Sequence, residues 1–472
     1  MNSISSARIT LVSVLAASLM TGCGGGGSTA DGGNNQTSNP SVSVTVDFPM
    51  LFGQSGNKVL PTYISHIISS ASHALANIAI TNTGPAATFQ ITIDLPNYGS
   101  PSSQTISLAA GEKKILSASP AINYNQLFQN TSNLPGSINV TASSGGVVVF
   151  AQSTPIQITG RNTVFWQDQS GADVSPLIAT MVTPQDKGQL IQSVIRGAAN
   201  RFPAGAMVGY QASTWPTASF SIAPGAWRDE SFYLMAGEAP SLTIDSVSTS
   251  LGIDTSMSIF IMDDASYNQW AAGQSAPTCA INNTPIPGSV LQCATQQTSG
   301  TYHAVYYNPS NNILSRTVAR HRPMSKWEVT YYQANAIFDE LRSRGLTYVN
   351  LTGTGYFAQS QNVRYPSESL ANQSANCIDG SLLFSSIFEA LGMEPIIALS
   401  FTAGHAFSTV KCWAGSTDCV VPIETTLVGS STAFDSAANT AATNWSAWSI
   451  GGHLKQIDIK TLRSLGVTPA PM

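Results

Sequence analysis

Asn376-Cys377-Ile378-Asp379-Gly380 opens a run that continues through Ser381 to Leu391 and closes on Gly392-Met393-Glu394-Pro395. Ile378, Leu382, Leu383, Phe384, Ile387, Phe388 and Leu391 recur at helical spacing, which predicts a helix over Cys377 to Leu391 with one buried face. Gly392 suits a C-terminal cap, and Pro395 stops the helix from continuing. Cys377 then falls in the first turn, where unpaired backbone N–H groups and the helix dipole favour negative charge. The thiolate, not the thiol, is the nucleophilic form of cysteine, and such a position favours it.

Working outward, Ile396 to Leu399 and Ala406 to Val410 read as short buried strands, and Val420 to Leu427 as a third. His405 opens the second strand, so it is expected to face Cys377 as the base that takes its proton. Glu424, expected on the third strand, would hold the far side of the imidazole ring. Taken singly, a cysteine in an apolar helix is ordinarily a core residue, a histidine beside glycine a satisfied polar residue, and a glutamate a solvated one. Three chemically matched residues on three consecutive elements are a stronger signal, that of a nucleophile, a base and the group that orients the base.

These residues resemble a family. Asn376-Cys377-Ile378-Asp379-Gly380, Gly404-His405-Ala406-Phe407 and Ile423-Glu424-Thr425-Thr426 are similar to the Cys, His and Asp blocks of the transglutaminase-like cysteine superfamily, in order and in spacing. His405 follows Cys377 by 28 residues, whereas papain-like enzymes place theirs about 130–150 residues downstream. Glu424 stands where members more often carry Asp, and Phe407 where many carry Trp. Gln361-Asn362-Val363-Arg364-Tyr365-Pro366 is similar to a Gln-x-x-Arg-x-Pro block of bacterial members. The resemblance makes Gln361 a candidate donor to an oxyanion, and Arg364 a candidate partner for Asp379 or Glu368; a structural turn with a surface ion pair is the plainer alternative.

Composition bounds the setting. Charged residues make up 10% of the 472, well below the ~25% of an average chain. The formal net charge is −5 and no basic run occurs, so nucleic-acid binding has no electrostatic footprint. Residues 1–22 read as a signal peptide, with Arg8 at its charged end and Ile9 to Leu19 apolar, too short to span a bilayer. Met20-Thr21-Gly22-Cys23 resembles a bacterial lipobox, which implies lipidation of Cys23 and a membrane anchor. Gly24 after it, by resemblance to Gram-negative lipoproteins, implies the outer membrane. Residues 23–40, rich in Gly, Ser and Asn, read as a flexible tether. In an oxidising envelope, Cys279 with Cys293 and Cys412 with Cys419 each bracket a loop and are expected to form two disulfides, leaving Cys377 as the free thiol.

The remaining chain divides by pattern. Residues 41–160 alternate apolar and polar positions (Val42, Val44 and Val46; Phe89, Ile91 and Ile93) between turn residues, as a β-sandwich does. Residues 161–212 and 321–472 are assigned to one discontinuous transglutaminase-like domain. In it Thr183-Pro184-Gln185-Asp186 reads as a helix start and Gln333 to Arg344 as a helix. Residues 213–320 turn to strands again and read as a second, inserted β-sandwich. Ala433 to Thr443 is expected helical and Lys455 to Ile459 a strand. The expected fold is therefore α+β and multidomain, with a transglutaminase-like (papain-like) core, an N-terminal β-sandwich and an inserted one. No metal-ligand spacing occurs among the scattered histidines His66, His73, His303, His321 and His453, and no cofactor loop is present; Asp263-Asp264 reads as a turn.

The expected function is a cysteine peptidase or amidase of the cell envelope, acting on a protein or peptide through a thioacyl intermediate. With an amine in place of water as the second substrate, the same chemistry cross-links. The alternative is a binding or assembly module that keeps the fold without turnover.

Overall fold

In the computed structural model the residues described are 39–53, 58–68, 73–168, 170–250, 257–276, 279–281, 287–309, 314–350 and 360–472. The signal segment, Cys23 and the tether up to residue 38 lie outside them. Alternating side chains in the first third build two antiparallel-dominated sheets. One has three strands, in the order Val42–Asp47, Ala76–Asn82, Lys113–Ala118. The other has five, in the order Val59–Leu60, Val147–Ile158, Leu134–Ser144, Ala87–Asp94, Ser102–Leu108. Ile78, Ile80, Phe89, Ile91, Ile93, Ile138 and Val140 fill the space between them, the inward half of each period-two pattern.

The second sandwich is an excursion between two helices. Leu190–Ala199 precedes it and Lys326–Ser343 follows it. Ala218–Ile222, Arg316–His321, Ser241–Thr249 and Ser289–Gln292 form one sheet. Trp227–Leu234, Gly300–Tyr307, Ser258–Asp263 and Cys279–Ile281 form the other. Phe220, Phe232, Ile244, Ile259, Tyr306 and Val318 make a core of its own. The Cys279–Cys293 disulfide ties the two sheets together. Asp263 caps the helix Asp264–Ala271 by accepting from Ser266 N, so the acidic pair is a helix start. The fold as a whole is α+β and multidomain, and no helix among the described residues is long and apolar enough to cross a membrane.

The last third holds an antiparallel four-stranded sheet in the order Val420–Ile423, His405–Lys411, Pro395–Ser400, Lys455–Asp458. The helix Cys377–Ala390 packs on one face, where Ser385 and Ser408 meet at 3.2 Å. The helix Phe434–Ile450 covers the other, seating Ala441 and Trp448 on Ala398 and Phe407. The first sandwich is joined to this part without a break in the apolar core, since one cluster runs from Phe48 through Phe165 and Trp166 to Cys377, Ile378 and Leu399.

Three local expectations are corrected. No helix starts at Thr183-Pro184; it starts at Leu190, after Gln189 in the left-handed region (φ 53°). Asp186 caps that helix from a distance, its carboxylate accepting from Leu190 N at 2.8 Å and Ile191 N at 3.0 Å. The strand expected to reach Leu427 ends at Ile423, because Glu424 turns its carboxylate onto Thr426 N and opens a 3-10 turn, Thr425–Leu427. The helix expected from Gln333 begins earlier, at Lys326, behind a Ser325–Glu328 capping box.

Glu368 holds the first sandwich to the helical part. It receives Arg161 Nη2 at 2.5 Å and Asn162 Nδ2 at 2.7 Å, and it also caps its own helix through Tyr365 N at 3.0 Å. Glu368→Ala strands three donors in a half-buried junction and is expected to cost about 2–3 kcal/mol. Urea unfolding should show this as a lower midpoint with an unchanged slope.

Candidate functional site

The site begins with a helix cap. Asn376 Oδ1 accepts from Asp379 N at 2.8 Å, and Asp379 Oδ2 accepts from Asn376 N at 3.2 Å, a reciprocal box that makes Cys377 the first helical residue. Asp379 Oδ1 also takes Arg364 N at 2.8 Å. Burial raises the Asp379 carboxyl, the backbone donors at Arg364 and Asn376 oppose it, and the balance stands at about 6. Cys377 is the free cysteine among the described residues and only 3% exposed. The other expected pair, Cys412–Cys419, is closed as a disulfide.

His405 stands at the first position of its strand, opposite Ser400. Its Nε2 meets Glu424 Oε2 at 2.8 Å. The Cys377 side chain is the ring's other polar neighbour. Burial acts to lower the pKa of the ring. The hydrogen bonds and charges of Cys377 and Glu424 outweigh burial and lift it to about 10. The imidazolium form is therefore favoured through neutral pH. Trp448 packs edge-on to the ring at 6.0 Å and confines it from the side of the last long helix.

Glu424 is held from behind. Its Oε1 accepts the Thr426 hydroxyl at 2.7 Å and Thr426 N at 3.3 Å. Gly380, in the second turn of the cysteine helix, lets the neighbouring Thr425 come close: a Cβ there would lie 2.8 Å from Thr425 Oγ1. Among the described residues, Asn376 Nδ2 and Thr425 Oγ1 are buried without a hydrogen-bond partner, both beside the first turns of this helix. Together these residues make a line of sulfur, imidazole and carboxylate at a helix N-terminus. Such a line can generate a thiolate, attack an electrophilic carbon and return a proton.

The supporting residues divide. Gln361 lies on the short strand Ser360–Asn362, paired with Val164 of Thr163–Phe165. Arg364 sends its guanidinium to Ser374 O at 3.0 Å and Ser374 Oγ at 2.8 Å. That corrects the expected ion pair: from Arg364, Asp379 receives the backbone N–H and not the guanidinium, and Glu368 is occupied by Arg161. Among the described residues no group of three or more His, Cys, Asp or Glu side chains is placed to hold a metal ion. The sequence reading missed Gly380 and Thr426. A glycine inside a helix costs about 0.5–1 kcal/mol against alanine and so marks a close approach. Glu-x-Thr after a strand is the pattern of a side chain bonding two residues on.

Three outcomes follow from this geometry. Gly380→Ala is expected to destabilise by about 1–3 kcal/mol and to slow alkylation of Cys377, because Thr425 and with it Glu424 must shift. The His405 ring, followed by NMR, should lose its proton near pH 10; a midpoint at or below 6.5 contradicts this arrangement. Asp379 binds its proton more tightly folded (about 6) than unfolded (3.8). Its contribution to stability is thus full below 3.8 and is lost as pH rises through about 6. Asp379→Asn should flatten the stability profile across that window.

No family model matches this chain, and no curated protein does. Among solved structures, tripeptidyl peptidase 2 is similar over 60% of this chain and 20% of its own, at 9% identity and a TM-score of 0.17. The secreted serine protease VesC from Vibrio cholerae is similar over 52% of this chain and 45% of its own, at 10% identity and a TM-score of 0.15. Carbohydrate-binding modules of the β-sandwich superfamily are similar over 61% of this chain and 93% of their own, at 9% identity and a TM-score of 0.11. The chain thus spans a fifth and somewhat under half of the first two, and likenesses this slight carry no argument about its activity.

Proposed function

We propose that this protein is a cell-envelope cysteine hydrolase with a transglutaminase-like core, cleaving a peptide amide through a thioacyl intermediate on Cys377. The single observation behind this reading is the grouping of Cys377, His405 and Glu424, with His405 Nε2 bonded to Glu424, Cys377 acting on the same ring and the cysteine at the first position of a capped helix. The thiolate attacks the carbonyl carbon, and its oxygen becomes an oxyanion. Backbone N–H groups of the first helical turn, which the helix itself leaves unpaired, are the donors for that oxyanion; the amides of Asn376 and Gln361 are candidate second donors. The His405 imidazolium gives its proton to the departing amine as the C–N bond breaks. Water then adds to the thioester, His405 takes its proton, and the carboxylic acid leaves as the thiol is restored.

The setting belongs to the same proposal. Among the described residues, two closed disulfides beside the free Cys377 suit an oxidising compartment. The lipobox-like Met20 to Cys23 supports a lipid anchor, and Gly24 supports the outer membrane of a Gram-negative cell. The partner is a protein or peptide of the envelope; no cofactor or nucleic acid enters. A second reading, a binding module that keeps the fold without turnover, has an observation in its favour: Cys377 is only 3% exposed.

Incubation with a pool of acetylated peptides, followed by acid quench and mass spectrometry, separates the two readings. The hydrolase reading expects new peptide termini and an acyl adduct on Cys377, both lost in Cys377→Ala with a fall in turnover of about 10³-fold or more. Released ammonia with a glutamine peptide and an added amine would make the activity a cross-linking one. Intact peptides and no adduct, from a protein whose Cys377 still reacts with iodoacetamide, would favour the silent module.

A further inference from the structure

A glutamate at the third position of the site has one more torsion than an aspartate, and an ordered carboxylate has to be held against that freedom. The Glu424 side chain is 4% exposed, so its oxygens must be satisfied by protein groups. Oε2 faces His405. Oε1 is gripped by two donors of a single residue, the Thr426 hydroxyl at 2.7 Å and the Thr426 N–H at 3.3 Å. The longer contact alone would cap the 3-10 turn Thr425–Leu427, so the shorter one has a different consequence. It fixes the rotation of the carboxylate and with it the oxygen presented to the ring. Thr425, one position earlier, makes no such bond: its hydroxyl is buried without a partner and packs against Gly380.

We propose that Thr426 is a positioning residue of the site, its hydroxyl holding the Glu424 carboxylate so that Oε2 stays on His405 and the ring stays turned toward Cys377. This rests on the reading of Cys377, His405 and Glu424 as a reactive line. Thr426 supplies from outside the side chain the rigidity that the longer glutamate lacks, and it acts through its two hydrogen bonds to Glu424. The pair Thr425-Thr426 contains its own control, two hydroxyls one residue apart of which only the second is bonded to Glu424.

The test follows the His405 ring by NMR titration in the full chain, for wild type, Thr426→Val, Thr426→Ser and Thr425→Val, with melting curves and iodoacetamide rates alongside. Thr426→Val should lower the His405 midpoint by about one pH unit, a tenfold weaker hold on the proton, and slow the alkylation of Cys377. Thr426→Ser, which keeps the hydroxyl, and Thr425→Val, which removes the unbonded one, should titrate as wild type. If the valine variant does not fold, Thr426→Ala keeps the N–H, removes the hydroxyl and reads the same loss. A folded Thr426→Val with a wild-type midpoint and rate overturns the inference, as does an equal shift in Thr425→Val. The titration needs no turnover. A protein that cleaves no amide yet shows the Thr426 shift retains this inference and loses the hydrolase reading; one that cleaves amides without the shift does the reverse.

Discussion

The hydrogen bond between His405 and Glu424 sets the terms for the rest of this structure. It joins the first residue of one strand to the residue just past the end of its neighbour, so it depends on the register that pairs Ser408 with Ile423 and Lys411 with Val420. A slip of one residue would turn His405 to the other face of the sheet. The Cys412–Cys419 disulfide closes that hairpin at the end away from His405, and Cys412 N bonds Cys419 O beside it. The covalent clamp and the reactive pair are thus the two ends of one ladder. The cysteine helix is then brought against the pair by the small side of Gly380, and the capping box settles where its first residue lies.

Much of the chain acts on this arrangement from behind. The first sandwich reaches the segment before the cysteine through Arg161 and Asn162, both on Glu368, and through Asn162 Nδ2 on Val363 O at 2.7 Å. The chain's end is tied in as well. Arg463 makes a forked pair with Glu389 on the cysteine helix and donates to the carbonyls of Ala179 and Val182. His66 of the first sandwich meets Thr468 O at 2.9 Å. A module that shares its apolar core with Cys377 shapes the site's support. The second sandwich has a separate core and meets the helical part at Glu238, which accepts from Lys326 N at 2.8 Å, and at Tyr233 against Trp327.

What the sequence made legible, and what it did not, follows from the range of the forces involved. The alternating strands of both sandwiches are written in hydrophobic period, which burial on one face enforces. The cysteine helix was expected to bury one face, but every residue from Cys377 to Phe388 is buried, as are nearly all of the two central strands, so it is their continuous apolar runs that mark them. Gly392 and Pro395 mark the end of the cysteine helix because caps are local, whereas the cap at Asn376 shows only in the structure. The turn at Glu424 was hidden because a carboxylate bonding Thr426 ends a strand that hydropathy would continue. The helix at Leu190 was misplaced because Asp186 caps it across a left-handed Gln189, a path that no simple pattern encodes. Arg364 went to the Ser374 carbonyl instead of a carboxylate because long side chains choose among several acceptors that only the fold brings within reach. Gly380 was present as a signal, a glycine inside an apolar helix, whose meaning needed the facing Thr425.

The most direct measurement is the rate of Cys377 alkylation by iodoacetamide as a function of pH, in the purified protein and in His405→Ala. If Cys377, His405 and Glu424 form one reactive line, the wild-type rate stays high well below the ~8.5 at which a free thiol ionises, and His405→Ala returns it to free-thiol behaviour. A wild-type rate that rises only with free-thiol ionisation and is indifferent to His405→Ala would contradict the line, and with it the reading of this protein as a cysteine hydrolase.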